Sequence, residues 1–332
     1  MRQGLLVCGV VLFAIAAHAQ SGPAAAVANA PTPRTPWGDP DLQGVWNVAS
    51  GTPLERPATY AGREFLTDEE LLQAEKQANE RTNADRRLGA GTLSDLRREH
   101  NEFWFDKRTT ILTNRTSLVT DPPDGKLPPL TPEAAKKTAP PADEFRSADG
   151  PEDRSLGERC IISNQGGPPI VALPGGINEQ LLGHKWPFQI VQTVNYVTIL
   201  TEYVQTVRII PLDGRPHLPP TVRPWIGDSR GHWEGSTLVV ETTNFSDRRL
   251  FLGLSAEHQR VVERFTRTAD TLDYQFTIDD PTRWTKSWTA VVPIEKTDGL
   301  LYEFACHEGN YGLRNILTVA RAQEKIAAAT NK

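Results

Sequence analysis

The feature that most constrains the fold of this chain is a series of short strand-like segments in its second half. Segments rich in Val, Ile, Thr and Tyr cover residues 188–193, 196–203 and 206–211, with Val194 and Asn195 between the first two. Such residues are enriched in strands, and a short polar turn between two of these segments is typical of a β-hairpin. The series therefore predicts a hairpin followed by a third strand.

Three more hairpins are predicted after a proline-rich loop that follows the third strand. They pair 232–234 with 237–243, 260–266 with 272–278, and 284–294 with 301–306. Successive strands with short turns favour an antiparallel up-and-down meander, so the fold is expected to be mainly β. Because open sheet edges template aggregation, we expect the meander to close into a lipocalin-like barrel, with a β-sandwich as the alternative.

The N-terminus has the three-part pattern of a secretory signal peptide. Met1 and Arg2 precede an apolar run over residues 4–17, and the sequence ends this run with Ala17 and Ala19 flanking His18. Small residues at those two positions fit the rule for signal peptidase. The run is shorter than the roughly 20 residues that cross a bilayer. We expect cleavage after Ala19, a periplasmic or secreted protein, and no membrane span in the mature chain.

The rest of the chain divides by composition. A capping box at Thr67 and Glu70 opens a predicted helix that extends to about Leu88, and long proline-rich loops follow it. The predicted regions are a signal peptide (1–19), a disordered linker (20–36), a helix and loop region with a few strands packed on the barrel (37–157), the antiparallel β-barrel (158–317), and a C-terminal helix and tail (318–332).

Charge and cysteine content narrow the classes of partner and compartment. The formal net charge is −5, which argues against nucleic acid and anionic membrane surfaces as partners.

Cys8 leaves with the signal peptide, so Cys160 and Cys306 remain. Two cysteines in an oxidising compartment usually pair, and a disulfide is expected here. Two free buried thiols are the alternative.

Four stretches of the chain resemble a large family of exported bacterial proteins of unassigned function. They are residues 37–46, 208–217, 231–243 and 306–311. This resemblance covers most of the mature chain and implies export, but it implies no activity. A weaker resemblance is to lipocalins, because residues 44–46 read Gly-Val-Trp, similar to the Gly-x-Trp that opens their barrel. It implies barrel closure and not lipocalin function.

Polar side chains on the predicted strands are the first candidates for a site. Strand alternation places Glu263 on the same face as Val261 and Phe265, which is expected to point inward. An inward carboxylate must be paired, hydrogen-bonded or protonated. Glu263 is therefore expected either to form a structural ion pair with an arginine or to be a functional group. Lys286 and Trp288 are expected to share one strand face and to contact a ligand.

The second candidate group follows the last predicted strand. His307 and Glu308 are expected at the rim of the barrel, with Asn310 and Tyr311 beside them, and His258 opens another strand. Two histidines with Glu263 or Glu308 could bind zinc or iron, or act as an acid–base pair. The alternative is that His307 is an ordinary loop residue beside the disulfide.

The sequence leaves three functions open. The first is an exported protein that binds a small apolar or aromatic molecule in a barrel cavity. The second is a lyase, isomerase or hydrolase acting on such a molecule through His307, Glu308 and Glu263. The third is an envelope interaction protein whose proline-rich loops make the contacts. The motifs of serine hydrolases, zinc proteases, P-loop enzymes and dinucleotide-binding enzymes are missing from the sequence, which identifies no cofactor.

Overall fold

The computed structural model describes most of the chain from residue 32 onward. The described residues are 32–48, 52–82, 113–136, 148–162, 167–170, 186–202, 204, 206–252 and 254–330. The predicted signal peptide, and all of the predicted linker except residues 32–36, lie outside them.

Twelve strands and three α-helices are formed by the described residues. The strands are β1 (Gly44–Val48), β2 (Val119–Asp121), β3 (Trp186–Gln192), β4 (Tyr196–Thr201), β5 (Val207–Pro211), β6 (Asp228–Glu234), β7 (Thr237–Thr243), β8 (Leu250–Phe251), β9 (Leu254–Ser255), β10 (Arg260–Thr268), β11 (Thr271–Asp279) and β12 (Trp288–Thr297). The helices are α1 (Asp68–Thr82), α2 (Pro132–Lys136) and α3 (Tyr311–Thr330).

Ten of the strands form one antiparallel sheet, so the chain is mainly β as predicted. Its strands lie in the order β5-β4-β3-β1-β12-β11-β10-β7-β6, and β2 pairs with the outer part of β12. Strands β8 and β9 form a separate two-stranded sheet. Residues along β10 alternate between buried and half-exposed positions, which is the pattern of a strand with one face against the core.

Three of the predicted hairpins are confirmed by the strand register. Strand β3 pairs with β4, β6 with β7, and β10 with β11, each through a short turn. The short connections favour these neighbours because little chain entropy is lost when they close.

The fourth predicted hairpin is wrong. Strand β12 pairs with β11 on one side and with β1 on the other, where Val45 lies opposite Thr297. Residues 301–305 form no strand, and Tyr302 and Phe304 are exposed. The reason is that β1, which lies far away in sequence, already occupies the edge of β12 that residues 301–306 were expected to pair with.

The expected closure into a barrel is unconfirmed. The sheet ends at β5 and β6, and among the described residues no backbone pairing joins these two strands. They are nevertheless neighbours in space. A Cβ on Gly231 in β6 would lie 2.9 Å from Ile210 in β5 and 2.7 Å from Leu212 just beyond it. The small residue on β6 therefore lets the two edges of the sheet pack closely.

The core lies on the inner face of the sheet. Apart from Arg249, its largest fully buried side chains are aromatic or aliphatic and include Trp46, Phe188, Phe265, Phe276 and Trp288. Burying one such side chain contributes roughly 1.5–3 kcal/mol relative to leaving it in water. The inner face is therefore the main source of stability in this fold.

Helix α1 begins as the sequence predicts. The backbone N–H of Glu70 donates to Thr67 Oγ1 at 3.3 Å, and the backbone N–H of Thr67 donates to Glu70 Oε2 at 2.9 Å. These two reciprocal bonds form the predicted capping box. The helix is described as far as Thr82, and residues 83–88 lie outside the described part.

Helix α3 begins at Tyr311 and not at residue 318, which corrects the predicted start. The side chain of Asn310 accepts a hydrogen bond from the backbone N–H of Leu313 at 3.2 Å, so Asn310 is the N-cap. No residue of α3 is fully buried. None of the helices in the described residues is both long enough and apolar enough to cross a membrane.

The predicted disulfide between Cys160 and Cys306 is confirmed. Their Cα atoms lie 5.7 Å apart, within the range that disulfides require. The bond ties the segment before β3 to the segment that leads into α3.

Candidate functional site

Five polar side chains from five strands meet on the inner face of the sheet. They are Arg208 on β5, Ser229 on β6, Thr242 on β7, Glu263 on β10 and Tyr274 on β11, and all five are buried. We call this group the inner polar cluster. It joins strands that lie at opposite ends of the strand order, so the tertiary fold alone brings its members together.

Glu263 is fully buried and both of its oxygens are engaged. Oε1 accepts from Arg208 Nη1 at 3.0 Å and from the Tyr274 hydroxyl at 2.7 Å. Oε2 accepts from Arg208 Nη2, which completes a bidentate ion pair. Such pairs hold two planar groups in one orientation. Glu263 thus points inward and pairs with an arginine, as the structural alternative in the sequence analysis proposed.

Arg208 uses its remaining contacts to connect the edges of the sheet. Its Nε donates to Ser229 Oγ at 2.9 Å, and Nη2 also donates to Thr242 Oγ1 at 3.0 Å. One side chain from β5 therefore bonds to β6, β7 and β10. Because a buried guanidinium is costly unless its donors are satisfied, this set of partners is what makes its position tolerable.

The electrostatics of the cluster keep Tyr274 protonated. Burial, followed by the nearby charge of Glu263, raises the pKa of Tyr274 well above its usual value. A second buried arginine, Arg249, has its pKa lowered to about 10 by burial and by the positive charge of Arg208. The hydroxyl of Tyr274 is therefore a hydrogen-bond donor to Glu263 over the whole physiological range of pH.

A short segment, residues 167–170, lies across the inner polar cluster. The Tyr274 hydroxyl accepts from the backbone N–H of Ile170 at 2.9 Å, and Arg249 Nη2 donates to the carbonyl of Gly167 at 2.9 Å. All four residues of the segment are buried. The segment is thus held at one end by Tyr274 of the cluster and at the other end by Arg249.

Aromatic rings surround the cluster on the inner face. Phe265 and Tyr274 have ring centroids 4.9 Å apart, and Tyr274 and Phe276 are 5.8 Å apart. Trp288 lies 5.6 Å from Phe276 with an edge-to-face orientation. Aromatic pairs in such offset or edge-on geometry attract each other beyond their hydrophobic contribution. The polar cluster therefore lies within a largely aromatic environment.

Three predicted ligand-binding residues lie at the end of the sheet where β10 and β12 begin, and we call this the Trp288 end. They are His258, Lys286 and Trp288. Trp288 is fully buried, whereas Lys286 is exposed and His258 lies at the surface beside Glu257. The prediction that Lys286 shares a strand face with Trp288 is wrong. Strand β12 starts only at Trp288, and the bend at residues 285 and 286 breaks the alternation.

The other predicted site residues lie in the segment between β12 and α3 or, for Tyr311, at the first position of α3. His307, Glu308 and Tyr311 are exposed. Asn310 donates to the carbonyl of Glu158 at 2.7 Å and lies 3.3 Å from Cys160 Sγ. Since residues 301–306 form no strand, these side chains do not follow a strand end as expected.

The structure does not bond the two predicted groups to each other. Within the described residues, no hydrogen bond or ion pair connects His307 or Glu308 with Glu263 or His258. No group of three or more His, Cys, Asp or Glu side chains in that part of the chain could hold a metal ion. The roles assigned to these residues stay predictions.

Sequence reasoning missed most of the inner polar cluster. Arg208 lies between Val207 and Ile209, which are exposed, so strand alternation on β5 places the arginine inward. The same alternation that turned Glu263 inward also turns Tyr274 inward on β11. These signals were present in the sequence, but the side-chain contacts of β5 with the distant strands β6 and β10 were not.

Comparison with models of protein families gives no match to this chain. A search of curated proteins likewise finds no match. The resemblance to exported bacterial proteins therefore rests on the four quoted stretches alone.

Proposed function

We propose that this protein is exported and binds a small apolar or aromatic molecule on the inner side of a sheet that curls into a lipocalin-like barrel. The observation that carries the proposal is the inner polar cluster, set among aromatic rings and covered by residues 167–170. Ligand sites typically combine an apolar, aromatic lining with a few convergent polar groups that orient the ligand.

The curling of the sheet is supported by contacts between its two edges. Arg208 of β5 bonds to Ser229 of β6, and Gly231 leaves room for Ile210 and Leu212 to pack against β6. In an eight-to-ten-stranded barrel the interior is wide enough for side chains or one small ligand. Side-chain packing across the seam would then take the place of a backbone ladder.

Binding fits the cluster better than acid–base catalysis does. A general base needs a lone pair directed at a substrate proton, within hydrogen-bond reach. Both oxygens of Glu263 already accept from Arg208, and one also accepts from Tyr274. The carboxylate therefore serves to hold Arg208 and Tyr274 in place, which favours an orienting role.

Export is supported by the disulfide as well as by the N-terminal pattern. Disulfides persist in oxidising compartments such as the periplasm and are rare in the cytosol. The Cα atoms of Cys160 and Cys306 lie 5.7 Å apart, a usual separation for a disulfide. N-terminal sequencing of the exported protein is expected to begin at Gln20, and a chain that begins at Met1 would contradict this part of the proposal.

Untargeted mass spectrometry of the natively purified protein tests the binding function. We expect a small organic molecule to appear in the native sample and in an organic extract of it. The matched control is Tyr274→Phe, which removes one hydroxyl that bonds both Glu263 and Ile170. A native sample free of small molecules, together with no thermal shift across a library of aromatic compounds, would refute the proposal.

A further inference from the structure

The Trp288 end contains buried polar groups that have no hydrogen-bond partner among the described residues. Four side chains there carry nitrogen or oxygen atoms without a hydrogen-bond partner in the described part of the chain. They are Gln259 at both amide atoms, Arg283 at Nε, and Trp284 and Trp288 at Nε1. Their residues are 2 %, 3 %, 6 % and 0 % exposed in that order. Together they offer four donor nitrogens, which carry five N–H bonds, and one acceptor oxygen.

These four side chains belong to one neighbourhood. The rings of Trp284 and Trp288 meet edge-on at 6.1 Å, and the Arg283 guanidinium lies 4.8 Å from the centre of the Trp284 ring. The backbone N–H groups of Arg283 and Trp284 both donate to the carbonyl of Asp280, at 3.0 and 2.9 Å. Gln259 directly precedes β10, whose first residue pairs with Asp279. Gln259 and Asp280 are therefore the next residues of the two segments beyond that pair.

Unsatisfied buried groups are rare in native proteins because each forfeits its hydrogen bonds to water. Leaving one such donor or acceptor unpaired costs about 1–3 kcal/mol, and more for a charged group. Four side chains of this kind at one end of the sheet therefore indicate a bound group that the described part of the chain does not supply. An excess of donors over acceptors indicates that this group is rich in acceptors.

We propose that the Trp288 end anchors the carboxylate of a small aromatic acid, whose ring then lies against the aromatic residues of the inner face. This inference rests on the proposed binding function and assigns the chemical class of its ligand. A carboxylate is planar and accepts through both oxygens, so it can take bonds from several donors at once. The indole N–H groups and the Gln259 amide are uncharged donors beside one cation.

Arg283 gives the site its preference for an anion. Its Nη1 donates to the carbonyl of Phe251 and its Nη2 donates to that of Leu252 at 2.9 Å, so the guanidinium is held in one orientation. Burial lowers its pKa to about 10, and the charge of Asp280 only partly opposes this. A second negative charge would therefore be favourable beside Arg283. The exposed Lys286 at the same end could attract an anion from solution.

Three probes with one ring system test the chemistry of the anchor. They are 2-naphthoate, 2-acetylnaphthalene and 2-methylnaphthalene, which carry a carboxylate, a carbonyl and no acceptor. Fluorescence titration of the full chain is expected to show 2-naphthoate binding at least about tenfold tighter than 2-methylnaphthalene, with 2-acetylnaphthalene between them, because charged hydrogen bonds are the stronger ones.

Matched tryptophan variants test the location. Trp288→Phe keeps an aromatic ring and removes only the indole donor, so it should weaken 2-naphthoate about tenfold and 2-methylnaphthalene less than about twofold. Trp233→Phe is the control, because Trp233 also has a buried indole N–H without a partner but lies on β6, away from the Trp288 end. This control should leave the affinity for all three probes unchanged. Gln259→Met, which removes the amide at similar volume, serves as a second variant if Trp288→Phe does not fold.

The possible results separate the anchor from the binding function. Equal affinity for 2-naphthoate and 2-methylnaphthalene overturns the anchor, because the four groups would then be satisfied by water, and it leaves the binding function standing. An equal loss of affinity in Trp233→Phe and Trp288→Phe overturns the location of the anchor. If none of the three probes binds, the binding function fails together with the inference.

Discussion

Removing the carboxylate of the inner polar cluster is the sharpest test of the fold described here. Glu263→Leu would leave Arg208 buried with Ser229 and Thr242 as its partners and with no negative charge beside it. Breaking a buried ion pair by removing one member typically costs about 3–5 kcal/mol. Domains of this size are stable by about 5–15 kcal/mol, so the variant should lose a large share of its stability.

The same pair can be removed as a whole. Arg208→Met combined with Glu263→Leu replaces both charges with apolar side chains of similar length, and buried pairs replaced in this way often leave stability nearly unchanged. The double variant should therefore be more stable than Glu263→Leu alone, by at least about 2 kcal/mol. Some cost will remain, because the Ser229, Thr242 and Tyr274 hydroxyls each lose a partner.

Urea unfolding with the disulfide intact measures Glu263→Leu, Arg208→Met and the double variant in one cycle. Midpoints and slopes give the free energy of unfolding of each variant, and the cycle yields the coupling between Arg208 and Glu263. Strictly additive effects of the two single substitutions would refute the reasoning. A cost below about 1 kcal/mol for Glu263→Leu would also refute it, since the guanidinium would then have to reach water.

Three further outcomes follow from individual contacts. The pKa of Tyr274 is raised well above 10.0, so the folded state keeps the tyrosine proton at a pH where the unfolded state loses it. Stability should therefore fall above about pH 10, by up to about 1.4 kcal/mol per pH unit. Urea titrations at pH 8 to 11 should show a shallower decline in Tyr274→Phe. Replacing Cys160 and Cys306 with Ser opens a loop between residues 146 positions apart and should cost about 4–5 kcal/mol of stability in the chain-entropy account. Thermal unfolding checks this, and the Tm of the reduced wild type should match that of the variant. Gly231→Val should destabilise the fold by about 1–3 kcal/mol, because the valine side chain would clash with Ile210 and Leu212. Gly235→Val, at an open turn, should strain only the backbone there. Equal Tm values for wild type and Gly231→Val would contradict the packing of β5 against β6.

Local features of this protein could be read from the sequence because each depends on residues close together in the chain. The capping box at Thr67 and Glu70 spans four residues, and the hairpin turns between β6 and β7 and between β10 and β11 are equally short. Strand alternation turned Glu263 inward for the same reason, since successive side chains point to opposite faces. The disulfide needed only a count, because two cysteines remain outside the predicted signal peptide.

Only the tertiary structure decided which strand lies at each sheet edge and which group pairs with each buried charge. Strand β1 lies beside β12 and so displaces residues 301–306, although nothing near either segment in sequence indicates that pairing. Arg208 and Glu263 are 55 residues apart and meet only because the sheet brings β5 close to β10. Side chains at the Trp288 end are brought together in the same way. Periodicity specifies the sheet face on which a side chain lies. The partner of that side chain depends on long-range strand order, which local sequence does not encode.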